Sequence, residues 1–214
     1  MSILIRVKYE KREEVKYVGH LDTMRTFMRC IKRTNIPVSY SKGFNPRIQI
    51  SFALPLGVGV TSNSEYFDLS LEDRMNIDLF IGELNSTLPD GFRIVSAYYP
   101  EDTKNSLMSL VKEAIYEIKI NDEIDFEAVK SLFSQDEILI EKVSKDKKKT
   151  EEIDIKKNII DFDIDNNICT FHVYAGSKGN LNPNSIIEAV CKYVGNIENV
   201  DVNRQELILH EVSL

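Results

Sequence analysis

Three groups of residues in this chain carry side chains suited to chemistry. The first is a run of cations, Arg25, Arg29, Lys32 and Arg33, within the stretch HLDTMRTFMRCIKRT. At about 100° per residue they gather on one stripe of a helix, away from Leu21, Met24, Phe27, Met28 and Ile31. Like charges at this spacing repel by roughly a few tenths of a kcal/mol per pair. A helix that only needs solubility interleaves glutamate, so the stripe suits phosphates or an acidic surface. A plain solvated face is the competing reading.

The second group is the loop SKGFNPR, residues 41–47, where Lys42 and Arg47 flank Phe44 and Asn45. Gly43 lets backbone amides approach a ligand closely. An aromatic ring beside two cations suits a nucleotide, with the base stacked on Phe44 and phosphate held by Lys42 and Arg47. In the alternative, Phe44 folds back as an apolar plug and Asn45-Pro46 makes the turn.

The third is His20 in GHLD, at the start of the helix. An imidazole at the positive end of a helix beside a basic stripe is a candidate general acid/base near neutral pH. A purely structural histidine fits the same position. Asp22 reads as a helix-start carboxylate.

The elements that must position these groups follow from periodicity. ILIRVKY (3–9) alternates as a strand, and apolar spacing of three and four predicts a helix over 20–34. Strands are expected at 36–40 and 47–54, joined by the 41–47 loop, and again at 64–70. A second helix spans 76–88 and stops at Gly91, and a strand follows at 92–98. Residues 99–111 are polar enough for a linker. Then the order returns, with a strand at 113–120, a helix at 125–134, and strands at 137–144, 151–163 and 168–175. A helix opens near Ser185, where Ser185 and Glu188 make a capping box, and a strand covers 199–210. The run KDKKKTEE (145–152) is expected to be a charged hairpin tip.

The expected architecture is α+β: two tandem ferredoxin-like (split βαβ) units with antiparallel sheets, over residues 1–105 and 106–214. In that plan both helices cover one face of a sheet and leave the other open to a partner.

Composition narrows the function classes. The net charge of −7 argues against indiscriminate nucleic-acid binding, yet residues 1–60 carry +7 and the remainder −14. Such asymmetry points the first part toward an acidic partner, or simply makes the two parts complementary. Cys30, Cys169 and Cys191 are odd in number and far apart, so they form no disulfide framework, zinc knuckle or cluster motif. His20, His172 and His210 are equally scattered, and neither a metal site nor a cofactor is expected. LPLGVGV (54–60) and GSKGN (176–180) fail the phosphate-loop pattern and read as turns. No apolar run reaches the ~20 residues of a membrane span, and no signal-peptide plan opens the chain. A cytoplasmic protein without membrane contact is the expectation.

YVGHLD, PVSYSKGFNPRIQISFALPLGVGV and SEYFDL together resemble the radical-SAM-linked proteins, a bacterial family. Its members occur fused to, or alongside, B12-binding-type radical SAM proteins. The resemblance is densest over residues 17–70, with echoes in IDIKKNI, the Gly…Asn-Pro turn near 180–183 and NRQELIL. It implies a radical SAM enzyme as working partner. Arg47 stands where the family pattern has a histidine after Phe-Asn-Pro, and Asn203-Arg204 where it has His-Arg. Those departures weaken any histidine-pair catalysis.

The preferred functional expectation is a non-catalytic accessory protein that binds RNA or another phosphorylated partner. Arg25, Arg29, Lys32 and Arg33 would track phosphates; Lys42, Phe44, Asn45 and Arg47 would hold a nucleotide. One alternative is a metal-independent ribonuclease using His20, by fold-level analogy with CRISPR repeat-processing endonucleases. Another is an adaptor whose basic face docks an acidic surface of the enzyme.

Overall fold

In chain order the strands and helices are β1 (Ile3–Lys11), α1 (His20–Ile31), β2 (Ile50–Phe52), β3 (Val60–Leu71), α2 (Ile77–Asn85) and β4 (Phe92–Tyr98). There follow α3 (Leu107–Leu110), β5 (Val111–Ile120), α4 (Phe126–Phe133), β6 (Leu139–Val143), β7 (Thr150–Asp154) and β8 (Ile159–Asp165). The last are β9 (Ile168–Gly176), β10 (Gly179–Asn180), α5 (Pro183–Tyr193) and β11 (Val200–Leu209). The computed structural model describes residues 3–101, 103–143, 150–176 and 179–210. The fold is α+β with mostly antiparallel strand pairing. It divides into two compact units, one of Met1–Val111 with Arg204–Leu214, the other of Lys112–Asn203.

In the first unit the strands lie in the order β4-β1-β3-β2, and β1–β4, β1–β3 and β2–β3 are all antiparallel. Alternation sends Ile5, Val7 and Tyr9 of β1 and Phe67, Leu69 and Leu71 of β3 to one face, where Phe27 of α1 and Phe80 and Leu84 of α2 join them. Phe27 is the centre of this core, its ring 4.8 Å from Tyr9 and 5.3 Å from both Phe67 and Phe92. Burying one such ring contributes about 1.5–3 kcal/mol. Asn76 caps α2 by accepting from Asp78 N and Leu79 N at 2.9 and 3.1 Å. Cys30 Sγ and Thr87 Oγ1 each bond the other residue's carbonyl, tying the end of α1 to the end of α2.

The expected strands at 36–40 and 47–54 are largely replaced by irregular chain. Only the bridges Val38–Leu71 and Tyr40–Ile48 form before β2 begins. The backbone curls locally instead, with Val38 N bonding Ile36 O and Ile50 N bonding Ile48 O. Helix α1 stops at Ile31 rather than near Thr34, because Thr34 Oγ1 donates to Ile31 O at 2.7 Å and ends the turn.

In the second unit, β9 lies between β5 and β8, with β10 pairing its end, and all of these pairs are antiparallel. Where β11 begins, Asn121 N, just past β5, donates to Asn199 O at 2.9 Å. β6 and β7 form a separate hairpin. Phe133 of α4 packs against Phe171 of β9 at 4.7 Å, and Val129, Ile186 and Val190 complete the core. The expected single strand at 151–163 splits into β7 and β8. Asp154 Oδ1 accepts from Ile138 N and Lys156 N, both at 3.0 Å, and a turn of 3-10 helix at 156–158 intervenes. Helix α5 starts three residues earlier than the Ser185 capping box requires. Asn182 is its cap, accepting from Asn184 N at 3.0 Å, and Pro183 fills the first position, where no amide hydrogen is needed. Most of the 145–152 tip, and Ser177-Lys178 of the 176–180 turn, lie outside the described residues.

Candidate functional site

The 41–47 loop is closed by its own base. Ser41 N donates to Arg47 O at 2.8 Å, and Arg47 N donates back to Ser41 Oγ at 3.0 Å, one step inside the Tyr40–Ile48 bridge. Gly43 takes φ +132°, a backbone state that favours glycine. The turn thrusts Phe44 fully into solvent, and Lys42, Asn45 and Arg47 are exposed beside it. Phe44 is therefore no plug. Neither Lys42 nor Arg47 has an ion pair among the described residues.

On α1 the buried side is Thr23, Phe27, Cys30 and Ile31, and Arg25, Arg29, Lys32 and Arg33 are all exposed on the other. Arg25 pairs with Asp22 one turn earlier, Nη1 to Oδ1 at 2.9 Å. Arg29, Lys32 and Arg33 have no carboxylate partner among the described residues. They sit in or just past the last turn of α1, where cations are favoured by the negative end of the helix dipole. No hydrogen bond or ion pair among the described residues joins this stripe to the loop. Each is a separate basic feature of the same unit.

His20 is the first residue of α1, after Gly19 in extended backbone. Its ring stands edge-on to Phe52, centroids 5.8 Å apart, and is half-buried there. That burial lowers its pKa below the ordinary imidazole value. Its ring nitrogens bond no described residue, and Asp22 turns to Arg25 rather than to His20. The arrangement positions an imidazole without a carboxylate to orient it.

Sequence reasoning missed what holds this end of the unit. Glu65 of β3 and Arg204 of β11 are both buried, with Arg204 Nη1 at 2.8 and 3.0 Å from the two Glu65 oxygens. Arg204 Nη2 reaches Pro55 O at 3.4 Å, and the buried Lys11 donates to Lys16 O at 3.0 Å. Lys16 O also accepts from Gly59 N at 2.9 Å. These bonds tie the 16–19 and 55–59 turns to the sheet. Tyr17 and Val58 on these turns, and Leu21 next to His20 in the chain, are 73, 63 and 65% exposed. A Cβ added at Gly19 or Gly59 would come within 4 Å of Val58 and Tyr17 respectively, so these turns lie close together. The available signal was charge on a core-facing register: Lys11 follows Val7 and Tyr9 on one side of β1, and Glu65 precedes Phe67 on the matching side of β3.

Residues 4–183 match the family model described as "Uncharacterized protein conserved in bacteria (DUF2344)". The chain belongs to that family. The match takes in every candidate site residue named above except Arg204. No curated protein matches the chain. Among solved structures, the DUF2344 chain is similar to the crystal structure of an unknown protein from Galdieria sulphuraria, at 12% identity and a TM-score of 0.30. The alignment covers 95% of this chain and 99% of that one, and a likeness at that level carries no argument. Among the described residues no helix is long and apolar enough to cross a membrane, and no group of three or more His, Cys, Asp or Glu stands ready for a metal ion.

Proposed function

We propose that this protein is a non-catalytic accessory factor that binds RNA, or a partner phosphorylated in the same way, through its first unit. The observation that carries this reading is Phe44, fully exposed at the tip of a self-closed loop between Lys42 and Arg47. An apolar ring held in water costs free energy unless a partner covers it. Flat stacking on a base, with cations on the adjacent phosphates, is the binding mode of single-strand platforms. Arg29, Lys32 and Arg33, without a carboxylate partner among the described residues, extend the charge along a second feature of the same unit. Gel shifts of full-length protein with single-stranded RNA at low salt test it. Retention that weakens in Phe44→Ala and in Arg47→Glu supports the reading, and no retention of any RNA removes it.

Each unit is read as a ferredoxin-like split βαβ domain. In the first, the strand order β4-β1-β3-β2 with α1 and α2 on one face supports this. In the second, β5, α4, β8, β9, α5 and β11 repeat the element order, with β6 and β7 inserted. The working partner proposed is a radical SAM enzyme, on the strength of the motif resemblance over residues 17–70. A cytoplasmic location suits three free thiols. The adaptor reading, in which the basic face docks an acidic surface of the enzyme, draws added support from apolar side chains exposed in the same unit, Tyr17, Leu21 and Val58. Loss of enzyme capture in Tyr17→Ser with RNA retention intact would assign that patch to the enzyme.

A further inference from the structure

A cleft of about 480 Å³ lies in the first unit, on the face of the sheet opposite α1 and α2. Strand register builds its floor in two rows. Leu4 of β1 faces Ser70 of β3, and Gln49 O accepts from Ser70 N at 2.9 Å. In the next row Arg6 faces Asp68, which faces Ser51 of β2. Residues 103–107, Thr103, Lys104, Asn105, Ser106 and Leu107, form the wall. A volume of this size is ordinary for a small-ligand site.

The chemistry of the floor is selective. Among the described residues Asp68 is the one carboxylate lining the cleft, and Arg6 holds it, Nε and Nη2 to the two oxygens at 2.8 and 2.9 Å. The charge is neutralised and the Arg6 guanidinium is fully buried. The floor is then a set of neutral hydrogen-bonding groups. The Gln49 amide offers donors and an acceptor on one plane, and the Ser51 and Ser70 hydroxyls do both. Leu4 and Leu107 supply apolar surface among them, while Ile50 packs into the core on the other face. Lys104 adds a cation to the wall, and the exposed Arg47 lies two residues before Gln49 in the chain.

We propose that this cleft receives one nucleotide, its base and ribose on Gln49, Ser51 and Ser70, and its phosphate toward Arg47 and Lys104. A planar, neutral hydrogen-bonding group with an apolar face and an anion at one end fits this lining. This inference rests on the RNA-binding reading and deepens it: Phe44 stacks one base of the strand, and a neighbouring nucleotide enters the cleft.

Titration calorimetry of the full-length protein with 5′-AMP, 5′-UMP, ribose 5-phosphate and inorganic phosphate tests it. A mononucleotide is expected to bind about tenfold or more tightly than inorganic phosphate, because the floor adds hydrogen bonds that phosphate lacks. Ser51→Trp fills the cleft and abolishes that binding. Gln49→Ala weakens it ~3- to 10-fold. Both positions are exposed, and an unchanged melting temperature shows that each variant is folded. The assignment is overturned if no mononucleotide binds, or if Ser51→Trp binds nucleotide as the wild type does. The two readings fail separately. RNA retained equally by wild type and Ser51→Trp, with no mononucleotide binding, sinks the cleft and leaves the loop. Mononucleotide binding blocked by Ser51→Trp, with no RNA retained at low salt, keeps the cleft and sinks the RNA reading.

Discussion

Arg204 places one guanidinium nitrogen 2.8 and 3.0 Å from the two carboxylate oxygens of Glu65, a buried pair between residues 139 positions apart in the chain. The closing strand thereby returns to β3 and locks the turns that carry Tyr17 and Val58. Burial pushes the Glu65 carboxyl up, and Arg204 is the largest influence opposing that shift.

Removing one member of such a pair leaves the other buried and uncompensated, at a cost of about 3–5 kcal/mol. Arg204→Ala and Glu65→Ala are each expected to lower the thermal midpoint strongly. The joint variant Arg204→Met with Glu65→Leu should recover most of the loss, since neither buried charge remains. Midpoints from circular dichroism close this cycle, and equal losses in single and joint variants would contradict the pairing argument.

Gly91 takes φ +93°, and a Cβ there would meet Val15 Cγ2 at 2.9 Å while Gly91 O accepts from Arg12 N at 2.7 Å. Gly91→Ala combines backbone strain with a clash against a buried β-branched side chain. It is expected to destabilise the first unit by more than about 1 kcal/mol. Urea unfolding of the variant measures the loss.

The pKa of His20 is lowered by burial, so the unfolded chain binds its proton more readily than the folded one. The stability this group permits is fully present above its ordinary value of 6.5 and is lost as pH falls through the depressed folded value. Wild type and His20→Gln should therefore show a constant difference in melting temperature above pH 7. Below pH 6.5 the wild type should lose ground to the variant. A difference independent of pH from 5 to 8 would contradict the burial.

The sequence exposed the regular parts of this fold and hid the irregular ones. Helix α1 and strand β4 were legible because Phe27, Ile31 and the alternating Phe92 and Ile94 bury on a strict period. The chain from Ile36 to Gln49 was not, because local carbonyl bonds such as Val38 N to Ile36 O compete with strand pairing without any cue in composition. Within the site, Phe44 could be named as a loop aromatic, but its exposure depends on how Ser41 and Arg47 close the turn. Arg204 lies far from its partner in sequence, and only the fold brings it to Glu65. The cleft was invisible for the same reason: Leu4, Gln49, Asp68 and Leu107 share no local pattern.

The salt dependence of RNA binding separates helix from loop. Removing one cation that holds a phosphate should flatten the slope of log affinity against log salt by about 0.7 for a single strand. Arg29→Glu and Arg47→Glu are each expected to do so, whereas Phe44→Ala should cost ~1–3 kcal/mol of affinity and leave the slope unchanged. If Arg29→Glu alters neither affinity nor slope, the helix cations serve the α1 dipole and the loop alone binds.

The question of catalysis turns on His20. Cleaving RNA without a metal needs one group to take a proton from a 2′-hydroxyl and another to protonate the leaving oxygen. His20 touches the ring of Phe52 and bonds no described residue through its nitrogens, while Asp22 is engaged with Arg25. His172 lies in the other unit, its Nε2 2.7 Å from Glu113 Oε2. An imidazole lacking an orienting carboxylate and a second acid/base contributes only ~10² to 10⁴-fold. Its lowered pKa also keeps it mostly neutral at pH 7, able to accept a proton but poorly charged for donating one. The expected result with labelled RNA in chelator is retention without turnover, unchanged in cleavage by His20→Ala. Multiple-turnover cleavage that vanishes in His20→Ala, with the variant still folded and still retaining RNA, would make the protein a ribonuclease.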